Sequence, residues 1–130
     1  MKEFTLQVLP ETYAVASFPI ETDYLSLLQP KCNFFACIQD TSELTIVCEE
    51  RKLNLQGKIE PGWRVLKIEG VLEFTLVGIL AKIATVLADA GVSIFTLSTY
   101  QTDYILVKEE MLKTAISALQ DADYQVIEVQ

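Results

Sequence analysis

From Trp63 to Val129 the apolar residues switch repeatedly between a period of two and a period near 3.6. The order of those switches constrains the fold more than any other feature of the chain. Over Trp63–Glu69, Val65, Leu66 and Ile68 are interleaved with polar residues, a strand pattern. Gly78–Ala90 carries Ile79, Leu80, Ile83, Val86 and Leu87 at helical spacing. Gly91 follows as a helix-ending residue, because glycine tolerates the left-handed conformation. Val92–Thr99 and Tyr104–Lys108 read as two strands around a short polar turn. Glu109–Gln120 repeats Met111, Leu112, Ala115, Ile116 and Leu119 as a second helix, and its Glu109-Glu110 start suits the positive end of a helix dipole. Gln125–Val129 alternates again as a last strand. The order is β-α-β-β-α-β, the ferredoxin-like split βαβ of an α+β sandwich.

The first half is less regular. Phe4–Leu9 and Tyr13–Phe18 read as strands separated by Pro10-Glu11, which the sequence allows to pair as a hairpin. Asp23–Leu28 reads as a short helical turn closed by Gln29-Pro30. Phe34–Gln39 and Leu44–Cys48 read as strands around the turn Asp40-Thr41-Ser42-Glu43. The charged, Pro/Gly-punctuated stretch Glu49–Gly62 reads as a linker or exposed helix followed by a turn. Thr41–Glu50 aligns without gaps to Gln101–Glu110, an offset of 60 residues, with Phe35 on Phe95 and Leu6 and Val8 on Leu66 and Ile68. Two readings stay open: chance similarity between β-hairpins, or two copies of one unit. The second divides the chain into residues 1–60, a degenerate unit lacking strong helices, and residues 61–130.

Composition narrows the function. The chain has 130 residues, 51% hydrophobic and 22% charged, enough for a core without a disulfide or metal staple. A formal net charge of -8 argues against nucleic-acid and anionic-membrane partners, which demand a basic face. Histidine is absent, removing the commonest general base and metal ligand. Cys32, Cys37 and Cys48 match no zinc spacing and read as reduced thiols of a cytoplasmic protein. There is no signal-peptide core, no apolar run of the ~20 residues a membrane span needs, no nucleophile–base pair, no P-loop and no GxGxxG. An enzyme is therefore not expected, nor a cofactor or a metal.

What remains is a concentration of hydroxyls, an amide and a carboxylate in Ser98-Thr99-Tyr100-Gln101-Thr102-Asp103, set against apolar strands. In a split-βαβ sheet this turn lies at the same edge as the loop after the first strand, Gly70–Gly78. That loop leads into a helix N-terminus, whose unpaired N–H groups favour a carboxylate. Glu73 and Asp103 offer acceptors for an ammonium or guanidinium group. Each has a blander reading: Asp103 as a turn former, Glu73 as a solvated charge, Phe74 and Tyr100 as covers of the core edge, Ser98 and Thr99 as partners of nearby backbone. Glu43, aligned with Asp103, marks a second, degenerate site.

These residues resemble the ACT domain family, and within it small bacterial tandem-ACT proteins related to the CASTOR arginine sensors. Gly62-Trp63-Arg64, Val71–Ala81 and Ser93–Tyr104 carry the resemblance, with weaker similarity over Glu43–Cys48. It implies a βαββαβ fold in two ACT-like units in tandem, usually paired side by side, and a homodimer. It implies binding of a small effector, typically an amino acid, at an interface between units. The matching ligand-binding positions are Leu72, Glu73, Phe74, Thr99, Tyr100 and Asp103. Relatives often carry proline at Val71, aspartate at Glu73 and a small or hydroxyl residue at Val77, so these departures reshape the facing loop. The resulting expectation is a non-enzymatic, cytoplasmic regulatory sensor of a small amino acid. The alternative is a ligand-free structural or protein-interaction module.

Overall fold

The structure is a computed structural model in which residues 4–25, 32–53, 58–70 and 78–129 are described. The strands are β1 (Thr5–Val8), β2 (Tyr13–Phe18), β3 (Ala36–Gln39), β4 (Leu44–Glu49), β5 (Lys58–Ile68), β6 (Ile94–Ser98), β7 (Asp103–Lys108) and β8 (Gln125–Glu128). The helices are α1 (Ile79–Asp89) and α2 (Leu112–Asp121), with 3₁₀ turns at Glu50–Lys52 and Glu109–Met111. The expected α+β order is present from β5 onwards. Two compact units form: Met1–Pro10 with Arg64–Gln130, and Glu11–Trp63. The sequence places a unit boundary at 60/61; the compact units instead give the first ten residues to the second half.

That assignment rests on β1. The expected β1–β2 hairpin is not formed. β1 runs antiparallel to β5, with Leu6 opposite Ile68 and Val8 opposite Leu66. Its other edge runs parallel to β8, with Leu6 opposite Val126. The strand is thus inserted between the first and last strands of the βαββαβ set. β5 also pairs with β7, and β7 with β6. The insertion follows from the pattern Thr-Leu-Gln-Val: Leu6 and Val8 are 0% and 1% exposed, and both face the helix-covered core. That core gathers Leu66, Ile68, Ile83, Leu87, Ile105, Val107, Ala115 and Leu119 around them.

The helices form where the apolar stripe has somewhere to go. Ile83 and Leu87 of α1 and Ala115 and Leu119 of α2 are fully buried. Both helices end in the same motif. After α1, the N–H groups of Gly91 and Val92 donate to the carbonyls of Ala88 and Leu87 at 3.0 and 2.9 Å, with Gly91 at φ +76°. After α2, Asp123 and Tyr124 donate to Gln120 and Leu119 at 3.1 and 2.9 Å, with Asp123 at φ +72°. This is the Schellman arrangement, once with glycine and once with aspartate in the left-handed position.

In the Glu11–Trp63 unit, β2 pairs antiparallel with β4 and with the start of β5, and β3 pairs with β4. Ala14, Ala16, Ile46, Cys48 and Leu53 form its core. The stretch expected as linker and turn is instead a 3₁₀ turn followed by β5 itself. Pro61-Gly62 misled the reading: the register shifts there, with Tyr13 opposite Trp63 but Val15 opposite Glu60, so the dipeptide is absorbed as a bulge. Gly62 takes φ +82°, and its N–H donates to Glu50 Oε2 at 3.0 Å. Of the helical turn expected at Asp23–Leu28, the second half, residues 26–28, lies outside the described residues.

Candidate ligand-binding turn

The β6–β7 connection is built by one hydroxyl. Thr99 Oγ1 donates to the Thr102 carbonyl at 3.2 Å and accepts from the N–H groups of Gln101 (3.3 Å) and Thr102 (3.2 Å). Thr99 N–H closes the turn on the Thr102 carbonyl at 2.9 Å. A hydroxyl has one hydrogen to give and two lone pairs to fill. That of Thr99 is therefore fully used, and only its methyl group and backbone remain for a ligand. The turn former is Thr99, not Asp103.

Asp103 is half-buried at the start of β7, directly opposite Ser98. Ser98 Oγ donates to Asp103 Oδ1 at 2.5 Å. Oδ2 has no partner among the described residues, and an ionised carboxylate oxygen is an acceptor for a cationic donor. Tyr100, at the tip, is 81% exposed and covers no core edge. Next to it on the strands, Lys67 Nζ lies 5.8 Å from the centre of the Tyr104 ring, within cation–π range.

The residue sequence reasoning missed is Thr102. Its side chain is 3% exposed, and its hydroxyl donates to the Ile68 carbonyl at the end of β5, at 2.8 Å. Nothing in the sequence separates Thr102 from Thr99; only burial does. Leu72, Glu73 and Phe74 lie outside the described residues. The flanks of their loop are described: Gly70 and Gly78 take φ +93° and +84°, the left-handed region the sequence reserved for them.

The other half of the chain repeats the turn at an offset of 59, not 60. Asp40 N–H donates to the Glu43 carbonyl at 3.1 Å, as Thr99 does to Thr102. Asp40 Oδ1 accepts from Ser42 and Glu43 N–H at 2.7 and 2.9 Å, in the role of Thr99 Oγ1. The Ser42 N–H, the Ser42 hydroxyl and the Glu43 N–H together hold the Asp40 carboxyl below its ordinary range. The strands Leu44–Glu49 and Asp103–Lys108 follow, then the 3₁₀ turns at Glu50 and Glu109. In this register Glu43 stands where Thr102 stands, and Leu44, 1% exposed, stands where Asp103 stands. The alignment of Glu43 with Asp103 is therefore corrected. The Glu43 carboxylate is held by the hydroxyls of Ser17 (2.8 Å) and Thr45 (3.4 Å). At the position equivalent to Asp103 the first half therefore presents a buried leucine and not a carboxylate.

Two clefts lie away from this turn. One, of about 720 Å³, is lined by Gly78, Lys82, Thr85, Val86, Asp123 and Tyr124 among others. The other, of about 490 Å³, is lined by Glu11, Thr12, Glu49, Glu50, Arg51 and Leu53. In the latter the buried Glu49 carboxylate is neutralised by Arg51 at 3.1 Å and Lys52 at 3.9 Å. Tyr13 donates its hydroxyl to Glu11 at 3.1 Å, and its phenol pKa is raised by burial first and by Glu11 next. Burial also pushes the Cys48 thiol up to about 11, with Cys32 and Glu49 adding to the effect. Among the described residues no group of three or more Cys, Asp or Glu could hold a metal ion. No described helix is long and apolar enough to cross a membrane.

Comparison with known proteins bears on this geometry at three levels. Residues 58–121 match the family model for the ACT domain. The human cytosolic arginine sensor for mTORC1 subunit 1 is 31% identical over 100 residues, covering 68% of this chain. The chain spans about 30% of the length of the curated relatives it matches. An Agrobacterium tumefaciens protein shares the fold over 100% of this chain and 96% of its own, with a TM-score of 0.89 at 23% identity. An aspartate kinase of Clostridium acetobutylicum, an allosteric enzyme, matches 91% of this chain with 34% of its own, at a TM-score of 0.67 and 17% identity. On the family-model match over residues 58–121 and the arginine-sensor relatives, the chain belongs to the ACT domain family.

Proposed function

We propose that this chain is a non-enzymatic regulatory module that binds a small amino acid at the β6–β7 turn. The observation that carries the reading is the division of labour within the turn. Thr99 spends its hydroxyl on the backbone, Thr102 spends its own on β5, and among the described residues only Ser98 engages the Asp103 carboxylate, through one oxygen. The other oxygen takes the ligand's cationic group. Leu72, Glu73 and Phe74, with the helix start after Gly78, supply the opposite side and the carboxylate contacts. Thr99 contributes its methyl group and Tyr100 its ring. The family membership and the arginine-sensor relatives support an amino acid as the ligand class.

We place the site at an interface between ACT units, in a homodimer whose chains each carry a degenerate unit and a complete one in tandem. The repeated turn at an offset of 59 supports the tandem reading. We place the protein in the cytoplasm. Calorimetric titration with each of the twenty common amino acids tests the function. We expect one of them to bind, with one site per chain, and Asp103→Asn to weaken it by about 1–3 kcal/mol. No heat with any amino acid at millimolar concentration removes the reading. A ligand-free interaction module is the second reading, favoured by the 81% exposed Tyr100 at the hairpin tip.

A further inference from the structure

We propose that Thr102 is a positioning residue for the Asp103 carboxylate, its buried hydroxyl fixing the β6–β7 turn against the end of β5. The inference rests on the amino-acid reading above and adds to it a residue that touches no ligand. Thr102 and Glu49 are the buried polar residues among those described, and Glu49 is satisfied by two neighbouring cations. Every polar group of Thr102 ties one piece of the site to another. Its N–H and carbonyl are held by Thr99, so the residue is locked into the turn. Its hydroxyl reaches out of the hairpin to the carbonyl of Ile68 at 2.8 Å. Ile68 is the last residue of β5, and the next residue, Glu69, donates its N–H to the Thr5 carbonyl at 2.8 Å. Thr102 therefore anchors the turn that carries Asp103 to the end of β5, which is itself held by β1.

The other half of the chain supplies an internal comparison. There the equivalent position, Glu43, also reaches from the hairpin turn to the neighbouring strand, taking a hydrogen bond from the Ser17 hydroxyl. Both turns are tied to the next strand through the same position, by different chemistry. The tie is present where Leu44 stands in the place of the Asp103 carboxylate. So the tie is a property of the scaffold, and the Asp103 carboxylate is the element set on top of it. A cation contact at a sheet edge needs its carboxylate held to within about half an ångström, and a turn free to pivot would not hold it.

The test pairs Thr102→Val with Thr102→Ser. Valine keeps the shape and removes the donor; serine keeps the donor. Each of the twenty common amino acids is titrated into the full-length wild type by calorimetry, and the one that binds best is then titrated into both variants. All titrations run well below the melting temperatures of the three proteins. Amide hydrogen exchange of Gln101 and Thr102 is followed without ligand. We expect Thr102→Val to bind roughly tenfold more weakly, with faster exchange at both amides, and Thr102→Ser to restore both. Wild-type binding with unchanged affinity in Thr102→Val overturns the positioning role and leaves the amino-acid reading standing. Unchanged exchange in Thr102→Val overturns it as well. A wild type that binds no amino acid removes both at once. A lowered melting temperature with unaltered affinity makes Thr102 purely structural and refutes the proposal.

Discussion

The two helix ends set up a paired prediction of opposite sign. Gly91 and Asp123 occupy the same place in two Schellman motifs, at φ +76° and +72°. For a residue with a Cβ the left-handed conformation costs roughly 1–2 kcal/mol, less for aspartate, which bonds locally. The Asp123 carboxylate also stands at the negative end of the α2 dipole, worth about 0.3–1 kcal/mol against it. Glycine in its place would cost roughly 0.5–1 kcal/mol in chain entropy. The net expectation for Asp123→Gly is a stabilisation of about 1 kcal/mol. Gly91→Ala inverts the sum. A Cβ there meets nothing within 4 Å, so the effect is purely conformational. We expect a loss of about 1 kcal/mol. Urea unfolding followed by circular dichroism measures both. The midpoints should move in opposite directions by roughly 0.3–1 M with unchanged slopes. If Asp123→Gly lowers the midpoint, the side chain makes a stabilising contact larger than the strain, and the reasoning fails. A Gly91→Ala midpoint equal to wild type would show that the left-handed position is not strained.

Three further outcomes follow. Leu6→Ala should cost about 2–5 kcal/mol in the same assay, as for any central core leucine; a loss below about 1 kcal/mol would mean that β1 is an appendage and not an inserted strand. Cys48, with its thiol pushed from 9.0 up to about 11, should alkylate far more slowly at pH 8 than the half-buried Cys37, as peptide mass spectrometry after iodoacetamide would show; equal rates would refute its burial. Because the folded state binds that proton more tightly, the stabilisation is fully present below pH 9 and is lost between pH 9 and about 11, which denaturant titrations across that window should register as falling stability.

The second half of the fold was legible because its helices bury one stripe each and its strands alternate, so period and burial agree. Ile83 and Leu87, read as the inner face of a helix, are fully buried. Long-range pairing was not legible: nothing local in Thr5–Val8 tells that its partners are residues 66–68 and 125–128 rather than the neighbouring Tyr13–Phe18. Pro61-Gly62 read as a stop because the bulge that absorbs it depends on the register of another strand. In the turn, composition showed a cluster of polar residues but not what each one does. A hydroxyl reads the same whether it closes the turn, as Thr99 does, or crosses to another strand, as Thr102 does.

The inserted strand also has a consequence for how the chain is made. Thr5 and Gln125 are partners separated by 120 residues. During synthesis β1 leaves the ribosome long before β8 exists, and its β8-facing edge stays free meanwhile. Contacts of such high order close slowly, because loop entropy must be overcome before pairing rewards it. The open edge of β1 is therefore where a nascent chain is most exposed to mispairing with another copy.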